Sequence, residues 1–138
     1  MPEINAPDLT GSASWIVSQR DLASEIAEPG ESFPEVFATS RMIALMELAA
    51  SRAIRIQLGP GELSVGVRVN IEHTAATPVG ERVRAQARFV GKEGKLYAFE
   101  VVASDEAGEI GRGTHHRAVV QTSRLLAGAQ KRRSSGTR

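Results

Sequence analysis

The 138-residue chain contains no cysteine. That excludes a disulfide framework and any thiolate metal site, and it suits a reducing compartment. No apolar run approaches the about 18 residues that a membrane helix needs. The first residues, MPEINAPDLTGS, are polar and acidic, unlike a signal peptide. A soluble cytoplasmic protein is expected. Acidic residues are missing beyond residue 109, whereas Arg124, Lys131, Arg132, Arg133 and Arg138 crowd the end. Residues 1–123 therefore carry 12 basic against 16 acidic side chains, net −4, and the tail carries +5. The tail has no aromatic residue on which a base could stack. It is expected to be a solvated, disordered end rather than a nucleic-acid surface. Three histidines without cysteine make a zinc site unexpected, and His115 and His116, adjacent in a strand, point to opposite faces. GPGE and GRGT lack the strand–loop–helix setting of a phosphate-binding loop.

What is present is one domain's worth of chain. Residues 1–11 read as a flexible arm, 12–123 as the folded domain and 124–138 as the basic tail. Residues 13–18 (ASWIVS) form a short strand with Trp15 and Val17 on one face. Residues 19–28 fit a strand extension or a helical turn, and 28–35 (EPGESFPE) a loop. The one long helix is expected over residues 40–58, with Thr39 or Ser40 as N-cap. Met42, Leu45, Met46, Ala49 and Ala53 form its apolar stripe, and Arg41, Arg52 and Arg55 its solvent face. Strands follow at 64–73, 81–90, 95–104 and 109–123. Strict alternation in the first puts Val65, Val67, Val69, Ile71 and His73 on one side. The second turns Val83, Ala85, Ala87 and Phe89 inward and its arginines outward. One helix followed by an antiparallel meander predicts an α+β fold with the helix across one face of a five-stranded sheet. Such a sheet leaves an uncovered face or edge, so a dimer is expected.

Three residues invite a chemical reading. Glu47 lies among apolar helix positions, where a carboxylate costs several kcal/mol unless it is paired; it is either a general base or a structural glutamate bonded to a neighbour. Thr39 is a cap or a nucleophile. His73 ends its strand as a structural group or a proton shuttle. Together they are a set able to activate water or an alcohol towards a carbonyl. Gly66, interrupting a valine strand, marks a bulge or a close approach.

The segments FPEVFAT, LMELAASRA, SVGVRVNIEHTAATPVGERV and EIGRGTHHRAVV, in unbroken order over residues 30–121, resemble the fluoroacetyl-CoA thioesterase group of hot-dog-fold proteins. The resemblance implies a hot-dog fold, a homodimer with two sites at the subunit interface, and hydrolysis of a short acyl-CoA thioester to a carboxylate and free coenzyme A. It implies Thr39, Glu47 and His73 as the catalytic trio. Phe33 is implied as an aromatic gate, Gly66 as the point of backbone approach to the acyl group and Arg117 as a pocket neighbour. No cofactor is implied, coenzyme A being part of the substrate. Residues 19–32 are polar and lack an aromatic, and Arg41 and Met42 stand where the family pattern has smaller or aromatic residues. A short-chain or aromatic acyl-CoA is thus expected in place of strict fluoroacetyl selectivity. The alternative is a hot-dog protein that binds acyl-CoA without turning it over.

Overall fold

The computed structural model describes residues 9–135. Residues 1–8 of the arm expected over 1–11, and the last residues, 136–138, lie outside the described residues. The elements are β1 (Thr10–Ile16), two short 3-10 turns (Gln19–Asp21 and Ala23–Ile26), and α1 (Thr39–Ala53). After a 3-10 turn at Arg55–Gln57 come β2 (Glu62–His73), β3 (Arg82–Glu93), β4 (Leu96–Asp105), β5 (Gly108–Gln121) and α2 (Thr122–Ser135). The five strands form one antiparallel sheet in the order β1-β3-β4-β5-β2. The sheet wraps α1, the hot-dog arrangement expected from the sequence.

α1 presents Met42, Leu45, Met46, Ala49, Ala50 and Ala53 to the core. They meet Val83, Ala85, Ala87, Phe89, Phe99 and Val101 from the concave face of the sheet. β3 alternates as its sequence requires, with Arg82, Arg84 and Arg88 exposed on the other face. Small helix residues let β1 cross unusually close. A β-carbon on Gly11 would sit 2.2 Å from the Ala49 carbonyl oxygen and 2.6 Å from the Ala53 nitrogen. Both are backbone atoms of α1, so only glycine fits at that crossing.

Three expectations are corrected here. The helix ends at Ala53 and tightens into a 3-10 turn, short of residue 58. The first strand begins at Thr10, so residues 10 and 11 belong to the sheet and not to the arm. The tail is helical through Ser135: the Thr122 amide donates to the Gly61 carbonyl at 3.0 Å, and α2 continues directly from β5. Its leucine, alanine, arginine, lysine and glutamine are good helix formers, and that propensity outweighs the polarity that suggested disorder.

The fourth correction bears on the site. β2 pairs with β5 as Gly66↔Arg117 and then Arg68↔His116, leaving Val67 as an extra, unpaired residue. This bulge shifts the alternation by one. Ser64 and Gly66 before it, and Val69, Ile71 and His73 after it, share the helix-facing side; Val65 does not. Without the extra residue, Gly66 and His73, seven positions apart, would face opposite ways. The outer edge of β2 has no strand beside it among the described residues, and Leu63, Val67 and Val69 are exposed along it.

Candidate active site

The start of α1 and the end of β2 are tied together by the loop between β2 and β3. The Thr74 and Ala75 amides both reach the Ile110 carbonyl, at 2.7 and 3.3 Å. Thr77, fully buried, donates its hydroxyl to Asp105 Oδ2 at 2.7 Å, and its carbonyl accepts the Phe37 amide at 2.8 Å. The HTAATP segment thus anchors His73 on one side and the approach to Thr39 on the other. The result is a hydrogen bond of 2.8 Å between Thr39 Oγ1 and His73 Nδ1.

Thr39 is not the cap that its position suggested. Ala38 occupies the N-cap, with no side-chain cap, and Thr39 is the first residue of the helix. Its hydroxyl is committed to the imidazole and leaves the first helix amides uncapped. A hydroxyl bonded to a histidine nitrogen is the geometry of a nucleophile and its base. His73 Nε2 is buried with no partner within the chain. Burial holds this imidazole below its ordinary value of 6.5, with the nearby Ala75 backbone opposing. An open cleft of about 330 Å³ lies against the pair, lined by Ala23, Pro34, Val36, Phe37, His73 and Ala76 among others. A larger hollow, about 470 Å³, lies between Thr10, Arg84, Arg88 and Glu100 on the other face of the sheet, away from these residues.

A second device sets the helix start. Buried Asp21 accepts from the Ser18 amide at 2.9 Å, from the Ser18 hydroxyl at 3.0 Å and from Arg41 Nε at 2.8 Å. Burial opposes its ionisation, but these bonds and the Arg41 charge outweigh it, so its carboxyl lies below the usual 3.8. The Asp21 carbonyl takes the Ala38 amide at 2.8 Å, and Arg41 lies 4.7 Å from the centre of the Trp15 ring. Arg41, expected on the solvent side, is thereby a clasp on the first turn of α1.

Glu47 stands elsewhere. It is eight residues beyond Thr39, about 12 Å along the helix axis at 1.5 Å per residue. A β-carbon at Gly66 would fall 2.1 Å from Glu47 Oε2. The carboxylate therefore rests directly on the bare Gly66 backbone. Arg117 Nη1 approaches Glu47 Oε2 at 3.4 Å. Arg117 is buried and held by Ser64: Nε donates to Oγ and Nη2 to the carbonyl, each at 2.9 Å. Burial lowers the Arg117 pKa, while Glu47 favours its charge. The structure thus brings Glu47, Gly66 and Arg117 into one cluster and Thr39 with His73 into another. It does not bring the three expected catalytic residues together within one chain. Phe33 is 47 % exposed in the loop before α1 and does not line the cleft, although its neighbour Pro34 does.

His115 and Asp21 were not singled out from sequence. Asp21 reads as an ordinary surface acid in QRDL, and His115 beside His116 raises only the question of a metal ligand. No group of three or more metal-binding side chains is assembled among the described residues. No helix among them is long and apolar enough to cross a membrane.

Half-buried His73 and buried His115 predict an acid-sensitive fold. Burial also lowers the His115 pKa, its bond to the Arg68 carbonyl opposing and the Arg117 charge assisting. An unfolded chain binds protons near pH 6.5 that folded His73 and His115 refuse. Their contribution to stability is full above 6.5 and is lost as pH falls through the depressed folded values. Asp21 acts lower, its contribution being lost only as pH falls below 3.8. Urea midpoints measured from pH 7.5 to pH 5 should decline, and less steeply in His73→Gln.

Residues 17–123 match the family described as fluoroacetyl-CoA-specific thioesterase. The fluoroacetyl-CoA thioesterase of Streptantibioticus cattleyicolor is 43 % identical over 117 residues, 85 % of this chain and 84 % of that protein. The solved structure of the fluoroacetyl-CoA thioesterase FlK superposes with a TM-score of 0.82 at 36 % identity, covering 88 % of this chain and 93 % of that one. A hot-dog-like protein from Thermanaerovibrio acidaminovorans, at 24 % identity, shares the fold alone, with a TM-score of 0.77 over 89 % of each chain. Arranged on that fold, with its own Thr39–His73 pair and Glu47 cluster, the chain belongs to the fluoroacetyl-CoA-specific thioesterase family.

Proposed function

We propose that this chain hydrolyses a short acyl-CoA thioester to a carboxylate and free coenzyme A, at sites shared between two copies of itself. The Thr39–His73 hydrogen bond carries the reading. His73 Nδ1 takes the Thr39 proton as Oγ1 attacks the thioester carbonyl. The uncapped amides at the helix start, with the positive end of the helix dipole, stabilise the oxyanion. As the carbon–sulfur bond breaks, the imidazolium returns a proton to the sulfur. A Glu47 carboxylate then takes a proton from water as the water oxygen attacks the acyl–Thr39 ester, and gives that proton to the departing Thr39 oxygen; the hydroxyl is restored and the acyl group leaves as the acid, which ionises to the carboxylate. Water is the only co-reactant in this scheme, and neither metal nor cofactor takes part.

That Glu47 belongs to the second copy. Among the described residues the outer edge of β2 has no partner strand and exposes Leu63, Val67 and Val69 beside Arg68, Asn70 and Glu72, and such edges favour pairing with another chain. An antiparallel β2–β2 pairing centred on Asn70, with the bulged Val67 left out of the ladder in each copy, sets His73 opposite Gly66 of the second copy. The bulge at Val67 turns both towards the helix-facing side. The buried, unpartnered His73 Nε2 would then face the cluster that holds the other Glu47. Exposed Phe33 joins the loop beside the cleft and is free to close over an acyl chain once substrate enters. The polar turns at Gln19–Asp21 and Ala23–Ile26 support a short-chain or aromatic acyl group over strict fluoroacetyl selectivity. A cysteine-free chain suits a cytoplasmic location.

A thiol-release assay over short-chain, fluoroacetyl and aromatic acyl-CoAs tests the reaction. Coenzyme A should appear with at least one short acyl group, together with an equal amount of carboxylate. Tight binding of acyl-CoA with no release from any member would make the protein a non-hydrolytic binder and end the enzyme reading.

A further inference from the structure

His115 lies at the centre of the Glu47 cluster, and no step above uses it. It is 1 % exposed and faces the helix from β5, between Gly66 and Arg117. Both ring nitrogens are engaged. Nδ1 lies 2.8 Å from the Arg68 carbonyl oxygen, which has no proton to give, so Nδ1 donates. Nε2 lies 3.1 Å from Arg117 Nη1, which has no lone pair, so Nε2 accepts. The two contacts fix one neutral tautomer. A second proton on Nε2 would point a cation at a guanidinium.

Arg68 is the first paired residue after the bulge at Val67, where the ladder is locally disrupted. The imidazole thus ties the bulge to the guanidinium. Arg117 is tethered to Ser64 through Nε and Nη2, but the third nitrogen is left to His115 and Glu47. The bond to Glu47 is long, at 3.4 Å, so Nη1 is not held by the carboxylate alone. The charged or titratable groups around the ring are Arg117 and His116 on β5, Arg68 on β2 and Glu47 on α1.

We propose that His115 is a positioning residue: as a neutral acceptor it fixes Arg117 Nη1, and through it the Glu47 carboxylate over Gly66. This rests on Glu47 serving the thioester reaction. The role requires an acceptor at the Nε2 position and is not met by filling the space alone. His115→Asn keeps a donor near the Arg68 carbonyl and loses the acceptor. His115→Gln places an amide oxygen near Nε2 and can accept from Arg117.

The test compares kcat and KM for both variants on an acyl-CoA that wild type hydrolyses, beside their urea midpoints. His115→Asn should lose about 30-fold to 100-fold in kcat with KM within about threefold, as expected when a reacting group shifts by about 1 Å. His115→Gln should recover at least about tenfold of that loss. Loss that follows the urea midpoints, equal in both variants, or a His115→Asn variant with unchanged kcat, overturns the proposal. Imidazole ¹⁵N spectra of the wild-type protein supply a readout independent of activity and of variant folding. They should show His115 protonated at Nδ1 and bare at Nε2 at pH 7, and a proton on Nε2 overturns the assignment. An inactive wild type would refute the thioesterase reading instead, while the spectra would still test the tautomer.

Discussion

Thr39→Ala and His73→Ala are each expected to lower kcat by about 10³-fold, and the double variant is expected to fall no further, as for residues that act as one unit. In the proposed reaction the hydroxyl is a nucleophile only while Nδ1 can take its proton, and Nδ1 has no role in this step without the hydroxyl. The 2.8 Å bond between them is the structural basis of that dependence. Neither substitution removes a structural cap, because Ala38 holds the N-cap position and no side chain bonds back to the helix amides. Thr39 itself is exposed at the helix start. Urea midpoints should therefore move little in Thr39→Ala, within about 1 kcal/mol for a surface change of this kind. Steady-state thiol release and denaturation curves on the same preparations check both halves. Multiplicative losses in the double variant, or activity loss that tracks unfolding, would mean that the pair does not work as nucleophile and base.

Glu47→Gln is expected to cost about 10³-fold in kcat, the upper part of the range for a general base. The substitution keeps the size of the side chain and a hydrogen-bonding oxygen, so it isolates the negative charge. Arg117 keeps both bonds to Ser64 and the contact with His115, and the Glu47 side chain is 41 % exposed. The pair at 3.4 Å is thus partly screened, and its loss should change stability by no more than about 1 kcal/mol. Gly66→Ala should reproduce a milder form of the same defect. Its methyl would occupy the place of Glu47 Oε2 and crowd His115 Cε1 at 3.2 Å. The carboxylate has to swing away, and about 10²-fold in kcat is the expected cost of such a displacement. A Gly66→Ala enzyme with full activity would show that Glu47 need not rest on β2 during turnover.

α1 and its apolar stripe were legible because spacing alone dictates which residues can be buried, and Met42, Leu45, Met46, Ala49 and Ala53 are; α2, with no such stripe, was not. β3 was legible for the same reason. β2 was not, because a period-two reading cannot show an extra residue, and the bulge at Val67 changes the side on which every earlier residue lies. Gly66 was the one local sign of it. Thr39 read as a cap because a hydroxyl before a helix usually is one; its true partner is 34 residues away in sequence. The Asp21–Arg41 clasp joins residues 20 positions apart, and neither end of it looks unusual in its own segment. His115 was hidden by its neighbour, since two adjacent histidines suggest a metal question and not a tautomer question. Family resemblance offers Thr39, Glu47 and His73 as one site, but the distance along α1 between their clusters shows only in the structure, and the proposed reaction needs a second copy to close it.

Mixing two inactive variants tests that sharing directly. A Thr39→Ala protein and a Glu47→Gln protein are combined in equal amounts, unfolded in urea, refolded together and assayed for thiol release. If each site takes Thr39 and His73 from one copy and Glu47 from the other, a mixed dimer carries one doubly damaged site and one intact site. Random pairing makes half of the dimers mixed, so the mixture should reach about a quarter of the wild-type rate, far above either variant refolded alone. Mixed dimers that form, as shown by a tag on one partner, and yet release no more thiol than the separate variants would contradict the shared site.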